Sequence, residues 1–499
     1  MSSSPTGPAS SSSARLGWSL VLLAAAQLIF SLDINIVFVA LPEIGSDLGF
    51  SAQTLQAVVS IYVVFAGGFL LLGGRAADIL GRRRMFVLAL AVYALSSLAG
   101  GLATTPAMIL AARAVQGIGG ALLLPSTLSL VNTLFAEGPQ RNRAVAVWGG
   151  AGASGLTVGA VLGGVLTQTL GWPAVFLVNV PLAGLVAIAA MFVVPLDGRR
   201  ERGRRFDLPG ALTSTAGVTL AVFALVQGPE IGWGSPAVGI AAAAALVLLA
   251  GFVLIETRSS DPLVPAGLLR NRSLVTGVSI TAIYMATFGA LPYFLTLLLQ
   301  EVFRLDALQT GLAFLVPSVA ILAGTQLGER LTTRLSSRTT LLLGFGTGVV
   351  GTAVLLLAFT PTAVFALAVP GLLVSGLGQG MVWTAMWIAA GTGVADEQQG
   401  VANGMASTTL NIGNAIGLAA LIAIANLWTA DLSGEPLRVG TAHGGFVAVL
   451  VACAAMIVGG LVTLAVPRHR PSVDAHPSQR NGGKVELDGA SAIESTRAG

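Results

Sequence analysis

The amino-acid sequence predicts an all-α polytopic membrane protein with fourteen transmembrane helices. Its composition is the first reason: hydrophobic residues make up 54% of the 499 residues and charged residues only 10%, whereas soluble domains carry about 25% charged residues. The second reason is that apolar runs of about 20 residues, the length that crosses a bilayer core, recur along the chain. The third is that clusters of Arg alternate with loops that lack Arg. A soluble multidomain protein is therefore excluded.

The fourteen apolar runs lie between clusters of turn-forming or charged residues. They begin near Gly17, Leu55, Met85, Pro106, Ala144, Ala174, Leu208, Pro236, Leu274, Ala307, Thr339, Thr362, Val401 and Gly444. The first run ends at Pro42 without a small-residue cleavage site, which favours a transmembrane span over a signal peptide. Residues 1–15 are rich in Ser, Pro and Ala, and residues 468–499 are polar. We expect both ends to be disordered.

The distribution of Arg predicts the orientation of the spans. The loops after spans 2, 4, 6, 8 and 10 contain Arg75, Arg82, Arg83, Arg84, Arg141, Arg143, Arg199, Arg200, Arg202, Arg204, Arg205, Arg258, Arg270, Arg272, Arg330, Arg334 and Arg338. The opposite loops contain only Arg304 and Arg438. By the positive-inside rule, both termini are cytoplasmic. Of the 26 basic residues, only Lys484 is Lys and the others are Arg. Together with the abundant Gly and Ala, this preference for Arg indicates GC-rich codon usage, and we expect a bacterial cytoplasmic membrane.

Several kinds of site are excluded by what the sequence lacks. Cys453 is the single Cys, and His443, His469 and His476 are the only His residues, all outside the apolar runs. This excludes a metal site, an intramembrane metalloprotease and a haem protein with paired His ligands. No G-x-x-x-x-G-K-[ST] loop is present, so we expect no nucleotide and no other cofactor. The high pI of about 9.8 comes from short Arg loops, and we predict no nucleic-acid binding.

The loop between spans 2 and 3 has an ordered set of small and charged residues: Gly74, Asp78, Gly81, Arg82 and Arg83. Gly81 permits a tight turn, Asp78 can cap the following helix or pair with Arg, and the Arg residues can bind helix ends or lipid headgroups. A related Arg loop after span 10 indicates a parallel internal repeat. We therefore expect six-helix bundles at residues 16–196 and 258–467, with residues 197–257 forming an Arg-rich loop and an inserted helix pair, spans 7 and 8.

Two charged residues lie inside apolar spans. Asp33 is in span 1 and Arg113 in span 4, and counting 1.5 Å per residue places both about 10 Å below the outer boundary. They could therefore form a pair. Intramembrane charges of this kind usually mark functional sites, and Asp33 and Arg113 are our candidates for proton coupling. The alternative is structural, with Arg113 bonded to backbone carbonyls.

Other spans carry residues that suit helix packing or a substrate cavity. Gly155, Gly159 and Gly163 in span 5 share one face and permit close helix contact, with Gly164 beside them. Gln379, Trp383 and Trp387 form one stripe in span 12 that suits flat, lipophilic or cationic substrates. The other candidate substrate contacts are Asn35, Gln116, Tyr284 and Asn411. Each of these polar or aromatic residues could instead bond a neighbouring helix or anchor the membrane interface.

These motifs resemble those of fourteen-span drug:proton antiporters in the major facilitator superfamily. The G-x-x-x-D-x-x-G-R-R string from Gly74 matches motif A, a gate latch, and the R-x-x-Q-G string from Arg113 matches motif B, whose Arg is implicated in proton coupling. The stretch around Asp33 resembles the first-helix motif of that group. The glycines around Gly159 resemble motif C, with Ala160 in place of Pro, and the segment from Trp172 follows W-x-x-x-F-x-x-N-x-P. The resemblance extends from about residue 17 to residue 466.

The resemblance implies the major facilitator fold and a secondary active exporter of lipophilic, often cationic, drugs or antibiotics. Protons, small-molecule substrates and the lipid bilayer would be its partners, and we expect a monomer. A dedicated exporter of one natural product and a facilitator-type importer remain alternatives. A lipid-modifying enzyme or a sensor is disfavoured, because the spans lack clustered acid–base groups and neither tail is long enough for a signalling domain.

Overall fold

Helices account for nearly all of the described chain. The computed structural model describes residues 9–50, 55, 57–197, 207–259, 262–305, 307–429 and 434–467, and these residues contain no β-strand. The continuous long helices are α1 (Ala9–Leu48), α2 (Ala57–Leu80), α3 (Arg82–Gly101), α4 (Pro106–Leu134), α5 (Pro139–Leu170), α7 (Leu208–Ile231), α8 (Pro236–Glu256), α11 (Ser337–Leu356), α12 (Phe365–Gly391), α13 (Gln399–Asn426) and α14 (Gly434–Thr463). Three long helices are interrupted: α6 (Pro173–Leu177 and Asn179–Val193), α9 (Arg272–Thr287, Leu291–Leu297 and the π-helical turn Leu298–Val302) and α10 (Ala307–Ala313 and Leu315–Arg334).

Local sequence explains where several helices begin. Thr105, Asp207, Asn271 and Ser336 cap α4, α7, α9 and α11 by accepting hydrogen bonds from backbone N–H groups of the first turn. These short polar side chains satisfy donors that have no partner inside the helix. The polar cap before an apolar run therefore fixes the start of each of these spans.

The lengths of the helices fit a polytopic membrane protein. Thirteen helices of the described chain are long and apolar enough to cross a bilayer, and α5, with 32 residues, has the length of a fourteenth. Helix α1 begins at Ala9, so residues 9–15, which we expected to be disordered, are helical. Arg15 donates to the carbonyl oxygens of Val193 and Phe192 at the end of α6, which holds this end of α1 against the bundle. Residues 1–8, the polar tail 468–499 and the Arg loop 198–206 lie outside the described residues.

The helices form two halves with the same internal packing. In the first half, α1 packs on α5, α4 packs on α2 and α3, and α3 packs on α6. In the second half, the corresponding contacts are α9 with α13, α12 with α10 and α11, and α11 with α14. The halves meet crosswise, through α2 with α13 and α5 with α10. This is a parallel repeat of six helices, as the two Arg loops predicted.

The inserted pair lies against the seam between the halves. Helix α7 packs on α2 and on α13, and α8 packs on α7. Gln227 of α7 donates a hydrogen bond to Ser60 of α2, with the two side-chain atoms 3.1 Å apart. Helix α8 leaves Ile240, Leu246 and Val247 at least 70% exposed, which suits a helix that faces lipid tails.

Glycines set the close contact between α1 and α5. Gly155, Gly159 and Gly163 lie against the backbone at Leu28, Leu32 and Ile36, one turn apart on each helix. A Cβ at Gly155 would come within 2.5 Å of the Leu28 carbonyl oxygen, and one at Gly163 within 2.8 Å of the Ile36 oxygen. Gly413 and Gly417 of α13 meet the backbone of Ala282 and Ala286 of α9 in the same way. The first and fifth helices of both halves are therefore joined through backbone contact.

Candidate functional site

A buried polar cluster lies inside the first half. Arg113 Nη1 of α4 is 2.7 Å from Asp33 Oδ2 of α1. Gln116 Nε2 and Asn179 Nδ2 donate to Asp33 Oδ1 at 2.9 and 2.8 Å. Gln116 also accepts from Arg113 at 2.8 Å and donates to Ser97 Oγ at 2.9 Å. All five side chains are at most 1% exposed, so Asp33 and Arg113 form a charge-balanced pair shielded from the outside.

Arg113 is held from two further directions. Its Nε donates to the Val58 carbonyl oxygen of α2 at 2.9 Å. Its guanidinium carbon lies 4.3 Å from the centroid of the Tyr62 ring, the geometry of a cation–π contact. The Tyr93 side chain of α3 is fully buried in the core of the same half. The cation is thus bound by a carboxylate, an amide, a carbonyl and an aromatic face.

The charge balance of this cluster depends on the Asp33 carboxylate. Asp33 accepts three hydrogen bonds, and its charge is balanced by Arg113. A proton on Asp33 would remove that charge and leave the Arg113 cation without its counter-ion in a low-dielectric interior, where charge pairing is strongest. The cluster must then rearrange, because a buried cation without a counter-ion is costly.

The last turn of α2 bonds to the first turn of α13. Gly400 and Val401 N–H donate to the two carboxylate oxygens of Asp78, each at 2.9 Å. Gln398, which precedes α13, makes no side-chain cap bond, so Asp78 caps this helix from the other half. Arg82 Nη2 lies 3.2 Å from Asp78 Oδ1 and also donates to the backbone oxygen of Asp396. We call this contact the latch.

The latch depends on two glycines. Gly74 and Gly400 meet so closely that a Cβ on either would collide with the other's backbone.

Gly81 has φ +104°, and a Cβ there would collide with the Asp197 carboxylate. Asp197 accepts from Arg83 N–H at 2.9 Å and from Arg84 N–H at 3.2 Å. Asp197 therefore caps α3 from the end of α6, within the same half.

Amide side chains close the seam beside the latch. Asn132 of α4 donates to Gln399 Oε1 of α13 at 3.0 Å and lies 3.4 Å from Asn403 Oδ1. Asn142 of α5 donates to Thr333 of α10 at 3.0 Å. Each of these bonds joins the two halves, at the ends of the helices near Arg82 and Asp396, which we call the Arg-rich side. The seam is closed at this side.

Replacing Asp78 with Ala is expected to open the Arg-rich side. Loss of a helix cap costs about 0.5–2 kcal/mol, which corresponds to a roughly 2- to 30-fold larger open population. Ser407 is a fully buried residue of α13, three residues after Gly404, which contacts α2. In a chain with Cys453 changed to Ser, a Ser407→Cys substitution should be labelled by a maleimide faster by that factor. Asp197→Ala removes a cap within one half, so it should lower stability without changing the labelling rate. Equal labelling of both variants would contradict the latch.

An aromatic cluster spans the seam. Trp148 of α5 stacks on Trp383 of α12, with ring centroids 6.4 Å apart and planes 7° apart. Trp387 lies edge-on to both indoles, at 5.6 and 5.7 Å. Tyr284 of α9 contacts Trp383 at 5.5 Å and Phe288 at 5.4 Å. The Tyr284 hydroxyl faces the Gln379 side chain.

The structure brings the predicted residues together in separate groups. Asp33 and Arg113 share the polar cluster with Gln116, and Tyr284, Gln379, Trp383 and Trp387 share the aromatic cluster. Asn35 is half-buried on α1, two residues after Asp33. Asn411 donates to the Ser407 carbonyl oxygen at 3.0 Å and lies beside Gly67 of α2. Gly164 lies beside the glycine stripe, and the nearest atom to a Cβ there is 3.9 Å away.

Sequence reasoning missed several residues of these groups, among them Trp148, Asn179, Asn132 and Asp197. Asn179 lies in the W-x-x-x-F-x-x-N-x-P segment and is an amide inside a span, a signal that could have placed it near the intramembrane charges. Trp148 precedes the glycine pair Gly149–Gly150, which is a weaker signal of close packing. Nothing in the sequence indicates the partners of Asn132 or Asp197.

Comparison with known proteins supports this architecture. A sequence model described as the Major Facilitator Superfamily matches residues 23–418 and 280–493. The chain is 37% identical to the cephamycin export protein of Amycolatopsis lactamdurans over 92% of this chain and 95% of that protein. It is 36% identical to the puromycin resistance protein of Streptomyces alboniger, over 91% of this chain and 90% of that protein. A multidrug resistance protein of Mycobacterium tuberculosis is 34% identical, over 80% of this chain and 73% of that protein.

Solved structures agree on the fold. The proton:xylose symporter XylE superposes with a TM-score of 0.65 at 14% identity, covering 91% of this chain and 96% of that one. The human organic anion transporter MFSD10 gives 0.63 at 16% identity, covering 88% and 98%. With two six-helix halves, a latch between them and relatives matched over most of their length, this multi-pass membrane protein belongs to the major facilitator superfamily of transporters.

Proposed function

We propose that this chain exports antibiotics or other lipophilic drugs across a bacterial cytoplasmic membrane in exchange for protons. Its relatives are named for cephamycin export, puromycin resistance and multidrug resistance. The observation that carries the proton coupling is the 2.7 Å pair of Asp33 and Arg113 inside the first half. We propose that the transporter works as a monomer with both termini in the cytoplasm, so that the latch closes the cytoplasmic side.

The polar cluster is connected to the seam through packed backbone. Asp33 follows Leu32, and the Leu32 backbone lies against Gly159 of α5. The same α5 carries Trp148, which stacks on Trp383 of the other half. Protonation of Asp33 would loosen its bonds to α4 and α6 and let α1 and α5 move together. The proton and the substrate would then act at different places on one rigid helix pair.

The transport cycle follows from this connection. Open to the cytoplasm with Asp33 ionised, the transporter would admit the substrate, and the loaded halves would then rock, close the latch and release the substrate outward. Asp33 would next take up a proton from the outside, and the protonated transporter would rock back and open the latch and the seam toward the cytoplasm. Release of that proton into the cytoplasm would complete the exchange. No nucleotide or metal is required in this scheme, since the proton gradient supplies the driving force.

Export should depend on the proton gradient and also consume it. In inside-out vesicles with an acidic lumen, addition of a transported drug such as puromycin should raise the lumen pH, because each drug that enters drives protons out. A protonophore should abolish drug uptake. Vesicles without the protein provide the control. Uptake that persists with the protonophore and leaves the lumen pH unchanged would indicate a facilitator instead.

A dedicated exporter of one natural product is the second candidate, since the cephamycin and puromycin relatives are each named for a single compound. A panel of chemically distinct antibiotics tested in the same vesicles separates the two. Uptake of several unrelated compounds supports a multidrug exporter, whereas uptake of one supports the dedicated form.

A further inference from the structure

The Trp148–Trp383 contact is formed by residues from different halves. Trp148 lies on α5 of the first half and Trp383 on α12 of the second. Their rings are within 7° of parallel, and Trp148 is fully buried. Because the halves of this fold move as units, any opening of the seam at this level must pull the two indole planes apart.

Two indole donors in this cluster have no acceptor. Trp148 Nε1 donates to Thr127 Oγ1 at 3.2 Å, but Trp383 Nε1 and Trp387 Nε1 are buried and make no hydrogen bond within the described part of the chain. A buried N–H without a partner costs free energy and is usually satisfied. Both donors are therefore available to an acceptor that enters when the seam opens.

The absence of a side chain at Gly149 of α5 leaves space for the edge of the Trp383 ring. A Cβ at Gly149 would come within 2.7 Å of Trp383 Nε1. The buried Asp33 carboxylate is already bonded to Arg113, Gln116 and Asn179. The cluster thus offers aromatic faces and N–H donors, which favour a planar ring with oxygen acceptors at its edge.

The distances define what could enter. A ring between two indoles needs about 7 Å between the indole planes, two contacts of about 3.5 Å each. The planes are now within 7° of parallel, with ring centroids 6.4 Å apart, so one planar ring enters only when the seam opens far enough to separate the planes to that distance. We propose that Trp148 and Trp383 hold a planar polycyclic substrate between them, with a carbonyl or hydroxyl oxygen of that substrate accepting from the Trp383 and Trp387 N–H groups. In the closed state the indoles stack on each other and seal the seam. This proposal rests on the proposed export function.

Binding to the purified full chain in detergent tests the proposal, by equilibrium dialysis with three probes. Hydroxyanthraquinone is planar and carries edge oxygens, ethidium is planar without them, and lincomycin has no aromatic ring. Trp383→Leu should weaken hydroxyanthraquinone binding about tenfold, a typical loss for one stacking partner. Trp383→Phe keeps a ring but loses the N–H, so it should weaken hydroxyanthraquinone binding more than ethidium binding. Lincomycin binding should not change.

Other outcomes are equally informative. If wild-type protein does not bind hydroxyanthraquinone, or if Trp383→Leu leaves its binding unchanged, the proposal is overturned. Equal weakening of all three probes would also overturn it, since that indicates a packing role. Gly149→Ala provides a second variant, which should displace the Trp383 edge and act like Trp383→Phe. If hydroxyanthraquinone binds as expected but no drug moves into vesicles, the export function fails while the binding site stands.

Discussion

Replacing Asp33 with Asn is expected to abolish proton-driven export. The variant keeps the shape of the side chain but removes the charge that balances Arg113 at 2.7 Å. Breaking a buried ion pair by removing one partner costs about 3–5 kcal/mol, so the free energy of unfolding should also fall. Uptake into acidic inside-out vesicles and thermal unfolding in detergent measure the two effects. Wild-type uptake by Asp33→Asn would place the proton site elsewhere.

A second substitution separates stability from coupling. In Asp33→Asn with Arg113→Gln, no cation remains buried without a counter-ion, and we expect most of the lost stability to return. The double variant still has no carboxylate to take up a proton, so drug-induced alkalinisation of the lumen should remain absent. If the double variant regains coupled transport, Asp33 has only a structural role.

Replacing Gly159 with Ala is expected to separate α1 from α5 and to inactivate the transporter. The added methyl would collide with the Leu32 backbone, and backbone cannot move aside as a side chain can. Overpacking of a tight contact costs about 1–3 kcal/mol. The two helices forced apart carry the neighbour of Asp33, on α1, and the contact with α10, on α5. Unfolding in detergent and uptake in vesicles should both be impaired.

Gly164 supplies the matched control for this experiment. It lies on the same helix and in the same motif, but a Cβ there would meet only Val39 Cγ1, at 3.9 Å. Gly164→Ala should therefore leave uptake unchanged and stabilise α5 slightly, because Ala is a better helix former than Gly. Equal damage from both substitutions would show that close approach at Gly159 is not the reason for the glycine.

The sequence predicted how deep a residue lies in the membrane better than it predicted which neighbouring helix the side chain faces. Asp33 and Arg113 could be matched because the rise per residue is fixed and both spans begin at recognisable boundaries. Their other neighbours, Ser97 and Asn179, depend on how α3 and α6 are rotated in the bundle, which follows from packing of many side chains at once. The same limit explains why the role of Trp148 was missed. The glycines of α5 indicate close helix packing, but only the packing of α12 against α5 shows that Trp148 contacts Trp383.

The caps of α3 and α13 show a second limit. The sequence suggested that Asp78 caps the helix that follows it or pairs with Arg, but the helix that Asp78 caps begins more than 300 residues later. Asp197 caps α3 from the far end of the same half. Neither helix has a capping side chain of its own, so their sequences give no sign of where the missing acceptor comes from.

Because of where these two caps lie, opening of the seam would include the local unfolding of one helix end. Asp197 and α3 belong to one half, so that helix end stays capped whichever way the halves rock. Asp78 and α13 belong to different halves, so opening the seam strips the first turn of α13 of its acceptor and leaves its N–H groups to water. Each turnover would then fray and rebuild one helical turn, and amide hydrogen exchange at Gly400 and Val401 would report how often the transporter opens.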